Sequence, residues 1–77
     1  MKIEILGTGC SKCKKLYENT LSAVKAAGVT AEVLKVEDIE KIIGYGVMST
    51  PALVIDGEVK TAGTLPNVEE IQNIIKG

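Results

Sequence analysis

Gly7-Thr8-Gly9-Cys10-Ser11-Lys12-Cys13 holds both cysteines of the chain, three residues apart. An alternating run, Lys2-Ile3-Glu4-Ile5-Leu6, leads into it, and a helical pattern from Lys14 to Ala27 leads out. The pair falls where a strand ends and a helix begins. Positions i and i+3 share a helix face, so thiols at this spacing can meet. If Ser11 and Lys12 open the helix, Cys10 lies at its N-terminus, where unpaired N–H groups and the dipole favour an anion. A thiolate forms there more readily than in a free thiol. The stretch has the pattern for reversible dithiol–disulfide chemistry, with Cys10 the candidate nucleophile and Cys13 the candidate resolving thiol.

Outward from this stretch the chain alternates strand and helix. Gly7 and Gly9 loosen the backbone before Cys10. Leu16, Tyr17, Thr20, Val24 and Ala27 follow helical spacing from Cys13, and Gly28 suits the helix C-terminus. Thr30 to Val36 reads as a second strand. Strand, helix, strand in this order is a βαβ unit with parallel strands and a right-handed crossover. Glu37 and Asp38 open a short helix, Ile39 to Ile43, which Gly44 and Gly46 end. Pro51 pushes Thr50 toward extended geometry, and Ala52 to Ile55 is the third strand. Asp56-Gly57 is a hairpin turn into the fourth strand, Glu58 to Ala62. Gly63 to Pro66 is a loop. Asn67 then caps a final helix with Glu70, and Val68, Ile71, Ile74 and Ile75 form its buried stripe. The fold class is α/β in the order βαβαββα, with three amphipathic helices covering both faces of a four-stranded mixed sheet. A central strand covered on both faces should be nearly all apolar. Ile3, Ile5 and Leu6 satisfy this and Glu4 does not.

Composition sets the outer limits. Seventy-seven residues make a single domain, 1–77. A chain of this size buries only about 60% of its unfolded surface. With no Trp or Phe and two Tyr, the interior must be aliphatic. The nine basic residues are all Lys, spread among ten acids for a net charge of −1. No basic block suggests nucleic acid, and no apolar run is long enough to cross a membrane. Met1 runs straight into a strand pattern, which argues against a signal peptide. The expected location is the cytoplasm, where a permanent structural disulfide is disfavoured and a CxxC pair is redox-active or metal-binding. With no His, two thiolates supply only half of a tetrahedral zinc shell, so a closed structural zinc site is not expected within one monomer.

CxxC at the first strand–helix junction, then Thr50-Pro51, a strand, an Asp-Gly hairpin, another strand and a last helix, resembles the thioredoxin superfamily. The resemblance covers essentially the whole chain, at the size of a glutaredoxin or of the small archaeal and bacterial redox-active disulfide proteins. It implies a minimal thioredoxin fold with strand order 2-1-3-4. The segment Gly46 to Gly63 (GVMSTPALVIDGEVKTAG) is similar to the part where the family places a cis-proline and a hairpin. By that likeness Pro51 is the cis-proline facing the thiols, and the Thr50 backbone pairs with an extended substrate. The motif itself is Cys-Ser-Lys-Cys, neither the Gly-Pro pair of thioredoxin nor the Pro-Tyr pair of glutaredoxin. Gly9 stands where thioredoxin has Trp. The Asp with which many glutaredoxins hold glutathione is absent from Thr64-Leu65-Pro66-Asn67. The implied activity is protein-disulfide reduction by a monomer, with no bound cofactor and a thioredoxin-reductase-type electron donor.

Each candidate has a plainer reading. The cysteines could be small buried hydrophobes or a Cu(I) clip, and Cu(I) binding by two thiolates is the rival function. Copper chaperones with CxxC after a first strand, however, run βαββαβ and carry Met where this chain has Thr8. Pro51 could be a trans proline opening an edge strand. Gly9, Ser11 and Lys12 are the supporting residues of the motif. Lys12, Lys14 and Lys15 could lower the Cys10 pKa, but a solvated face is the better account of Lys14 and Lys15. Glu4, six residues before Cys10, stands where thioredoxin has a proton-transferring Asp. A partly exposed strand-end Glu is the favoured reading there. Tyr17 reads as core.

Overall fold

Two parities of side chain leave the first strand, β1 (Lys2–Leu6), and each feeds its own core. In the computed structural model, which describes residues 1–8 and 11–76, Ile3 and Ile5 point to one face of the sheet. There they meet Leu16 and Ala23 of α1 (Ser11–Ala27) and Ile71 and Ile75 of α3 (Val68–Lys76). Leu6 points to the other face and meets Ile42 of α2 (Ile39–Gly44), together with Val47. Helices thus cover both sides of β1, and residues 3–6 are all buried.

The sheet has four strands in the order β2-β1-β3-β4, the order expected, with β2 Glu32–Val36, β3 Ala52–Ile55 and β4 Glu58–Ala62. β1 runs parallel to β2 and antiparallel to β3, and β3 and β4 form the hairpin. Asp56 and Gly57 both have positive φ, 49° and 83°, which gives the two-residue turn a twist that matches the strands. β3 is covered on both sides of the sheet and flanked by β1 and β4, and all four of its residues are buried. Pro51 therefore precedes an interior strand, not an edge strand. At the true edge, β4 carries a bulge between its pairings to Leu53 and Val54, with Lys60 as the extra residue. A bulge with a lysine blunts an edge against pairing with other chains.

Local signals fix the helix ends. Asp38 caps α2 by accepting from the Glu40 N–H at 3.0 Å. Asn67 and Glu70 exchange reciprocal bonds at the start of α3, Glu70 N–H to Asn67 Oδ1 at 2.8 Å and Asn67 N–H to Glu70 Oε1 at 3.1 Å. Inside α1 the buried Thr20 hydroxyl donates to the Leu16 carbonyl at 2.7 Å, which lets a polar residue hold a core position. Two boundaries differ from expectation. The second strand begins at Glu32, not Thr30. Its ladder starts at the Lys2–Glu32 pair, with the Glu32 N–H on the Met1 carbonyl, so residues 30 and 31 lie beyond the reach of β1. The short helix extends through Gly44, because the Tyr45 N–H still reaches the Lys41 and Ile42 carbonyls. Among the described residues, no helix is long and apolar enough to cross a membrane.

Leu53 lies in the middle of β3 with none of its surface exposed. Leu53→Ala should lower stability by about 2–5 kcal/mol, the range for removing a buried leucine's methyl groups and leaving a cavity. A fall in the urea midpoint at constant slope would show it; an unchanged midpoint would contradict this description of the core.

Candidate active site

Helix α1 begins at Ser11, soon after β1 ends at Leu6, and its first buried residue, Cys13, stands over the C-terminal end of that strand. Cys13, Leu16, Thr20 and Ala23 form the buried stripe of α1. Cys13 is the first of them, and packing on the strand end leaves it 5% exposed. Ser11 and Lys12 are exposed on the same turn. Cys10 and Gly9, the candidate nucleophile and its neighbour, lie outside the described residues.

Gly7 makes the position of Cys13 possible. A Cβ on Gly7 would collide with Cys13 Sγ, would lie 3.0 Å from Cys13 Cβ and would come within 3.9 Å of Thr50 Cβ. The Gly7 N–H continues the sheet by donating to the Val36 carbonyl at 3.0 Å, so this backbone cannot move aside. A side chain at position 7 and the Cys13 thiol compete for one space. The same measurement brings Thr50 to the site, because Gly7, Cys13 and Thr50 converge from three different elements of the chain. Thr50 is exposed and Pro51 is buried, and the bond between them is cis. The Pro51 carbonyl accepts from the Gly63 N–H at 2.9 Å, which ties this loop to the end of β4.

A cleft of about 250 Å³ reaches Cys13 from the α1–β2 side, lined by Ile5, Gly7, Cys13, Lys14, Lys35 and Glu37. Pattern reading did not bring Lys35 or Glu37 to the thiol. The usable signal was register. In a parallel pair, partners share a face, and Lys35 pairs with Ile5, two residues before Gly7. Lys35 Nζ stands 4.6 Å from the centre of the Tyr17 ring, a cation–π contact that holds its ammonium beside α1. Tyr17 also packs on the core, as expected. Lys14 is exposed yet borders the cleft, so the solvated-face account describes only part of its surroundings.

Glu4 corrects an expectation. It is not a partly exposed residue at a strand end. It sits in mid-strand, 9% exposed, and its Oε1 accepts from the Tyr45 hydroxyl at 2.7 Å. It shares the α2 face with Leu6, on the side of the sheet opposite Ile5, and lines a different cleft with Lys2, Lys41, Gly44 and Tyr45. The hydrogen bond to Glu4, then burial, then its negative charge raise the Tyr45 pKa above the usual tyrosine value. The hydroxyl therefore remains a donor across the neutral range.

Comparison with known proteins places this geometry. The family model described as "Thioredoxin domain" matches residues 1–76. A protein named Thioredoxin from Methanothermobacter thermautotrophicus is 41% identical over 75 residues, covering 97% of each chain. Another so named, from Methanocaldococcus jannaschii, is 42% identical over 74 residues, covering 96% of this chain and 85% of its own. A Probable Thioredoxin from Methanothermobacter marburgensis is 36% identical over 75 residues, covering 92% of this chain and 87% of its own.

Gly7→Ala tests the close approach. One methyl forced against Cys13 Sγ should cost about 1–3 kcal/mol of stability, the range for overpacking a filled site. The urea midpoint measures that cost, and a midpoint equal to the parent's would mean the thiol and the strand end are not in contact.

Proposed function

The chain belongs to the thioredoxin family of thiol–disulfide oxidoreductases, and from that premise we propose that it reduces protein disulfides through Cys10 and Cys13. The observation that carries the reading is the buried Cys13 against Gly7, with Thr50 alongside, one helical turn after a second cysteine in sequence. In the proposed cycle the Cys10 thiolate attacks one sulfur of a substrate disulfide. That S–S bond breaks, a mixed disulfide forms, and one substrate thiolate leaves. Cys13 then attacks Cys10 Sγ and releases the second substrate thiol. Two electrons pass to the substrate, and Cys10 and Cys13 are left joined. A thioredoxin-reductase-type donor returns two electrons and restores the dithiol. Gly9, Ser11 and Lys12 are the supporting residues of the motif, and the Thr50 backbone beside Pro51 receives the extended substrate. No bound cofactor takes part, and the chain works as a single-domain monomer in the cytoplasm.

The two cysteines divide the work unequally. In this scheme the first thiol meets the substrate, whereas the buried Cys13 reacts only with a sulfur delivered to it. Such delivery makes resolution intramolecular and fast relative to attack from solution.

Cys10→Ser should abolish reduction of insulin driven by dithiothreitol, while Cys13→Ser should accumulate a mixed disulfide at Cys10 that mass mapping detects. Turnover by Cys10→Ser at more than a trace would exclude the scheme. Donor preference gives a separate test. With no Arg and no Asp among residues 64–67, the chain lacks groups that commonly hold glutathione's charges. A thioredoxin reductase should turn the protein over faster than a glutathione-coupled system, and the reverse order would refute that choice of donor.

A further inference from the structure

Tyr45 and Glu4 are joined by a hydrogen bond between side chains 41 residues apart, and none of the chemistry proposed above uses it. Tyr45 sits at the C-terminal cap of α2, where the chain enters the loop that carries Thr50. Glu4 belongs to β1, three residues before Gly7. The bond therefore ties the beginning of the 46–51 loop to the strand whose end holds Cys13.

The loop is held at three places. At its far end the Pro51 carbonyl takes the Gly63 N–H, and Ala52 enters the ladder opposite Leu6. In its middle Val47 is buried in the α2-side core. At its near end Tyr45 is the anchor through its hydroxyl. Between these points the loop is open to solvent, with Met48 97% exposed and Ser49 and Thr50 exposed as well. Without that bond the near half of the loop is held by Val47, by packing of the Tyr45 ring on the α2-side core, and by the Tyr45 and Gly46 N–H groups on the last turn of α2.

A buried carboxylate in a central strand also calls for an explanation. An apolar residue at position 4 would suit a strand covered on both faces, and a carboxylate there costs desolvation that only good hydrogen bonding offsets. Lys2 and Lys41 border the same cleft, but neither forms an ion pair with Glu4 among the described contacts; the Tyr45 hydroxyl is the group on its oxygen.

We propose that Tyr45, through its hydrogen bond to Glu4, is a positioning residue that holds the 46–51 loop in the conformation in which Thr50 receives a protein substrate. The inference rests on the disulfide-reductase reading. Without the bond the loop spends part of its time in other conformations. The apparent affinity for substrate then falls in proportion to the competent fraction. The thiols are untouched, so turnover at saturation stays the same.

Three variants test this in the dithiothreitol-driven assay with insulin concentration varied. Tyr45→Phe should raise KM about tenfold, the lower end for loss of one hydrogen bond to a carboxylate, with kcat unchanged. Glu4→Gln keeps an acceptor oxygen and should return KM to near the parent value. Glu4→Leu removes the acceptor but fills the site with apolar atoms. It should raise KM as Tyr45→Phe does, without lowering the thermal midpoint. Amide hydrogen exchange supplies a readout free of turnover: Tyr45→Phe should speed exchange at Val47 to Thr50 and leave β3 protected. A KM for Tyr45→Phe equal to the parent's, or KM changes that follow the thermal midpoint across the three variants, would overturn the proposal. An unmodified protein that reduces no insulin would instead sink the disulfide-reductase reading, and this inference with it. Parent activity with an unaffected Tyr45→Phe sinks the inference alone.

Discussion

A central strand with helices on both faces has no solvent side. In β1 and the residue that follows it, this constraint reaches every position from Ile3 to Gly7. Ile3 and Ile5 are absorbed by the α1–α3 core and Leu6 by the α2 core. The two residues that do not fit an apolar alternation are resolved differently. Glu4 finds a phenol donor at the C-cap of α2. Gly7 has no side chain, and the Cys13 thiol occupies the space one would have taken. In such a thin molecule each residue of this strand is felt on both sides of the sheet.

The site follows from that strand. α1 starts soon after β1 ends, and the first inward position of the helix lands on Gly7. A larger residue at 7 would push the helix away and open the thiol to water. A larger residue at 13 would do the same from the other direction. The small pair lets helix and strand approach, and the third side of the space is closed by Thr50 from the loop before β3. Two lysines and a glutamate border the cleft that remains.

Much of this was legible in the chain because it is written locally. The alternation in 2–6, the Asp56-Gly57 turn and the Asn67–Glu70 cap each depend on residues within a few positions. Each appears in the structure where the sequence implies it. The CxxC spacing and the Thr50-Pro51 pair marked two of the three segments that meet at the site. What escaped was set by distance in sequence. The burial of Glu4 depends on Tyr45, 41 residues on, and nothing around position 4 announces a donor. Lys35 and Glu37 reach the Cys13 cleft only through the β1–β2 register. The false start of the second strand at Thr30 has the same origin. Strand propensity continues back to Thr30, but a ladder needs a partner, and β1 begins at Lys2.

Burial of Cys13 has a further consequence for a thiol of this kind. The thiol of a residue that is only 5% exposed is protected from bulky reagents in solution. In the proposed cycle it must nevertheless attack a neighbouring disulfide quickly. The two demands are compatible only if the incoming sulfur is carried close by on the same chain, because an attached partner replaces a bimolecular encounter with a short local movement. The CxxC spacing supplies that attachment, and Gly7 supplies the depth that makes Cys13 selective. Spacing alone would leave two equally exposed thiols, and depth alone would leave one inert thiol. Their combination at the end of a fully covered strand is what distinguishes this site from a pair of cysteines on any amphipathic helix.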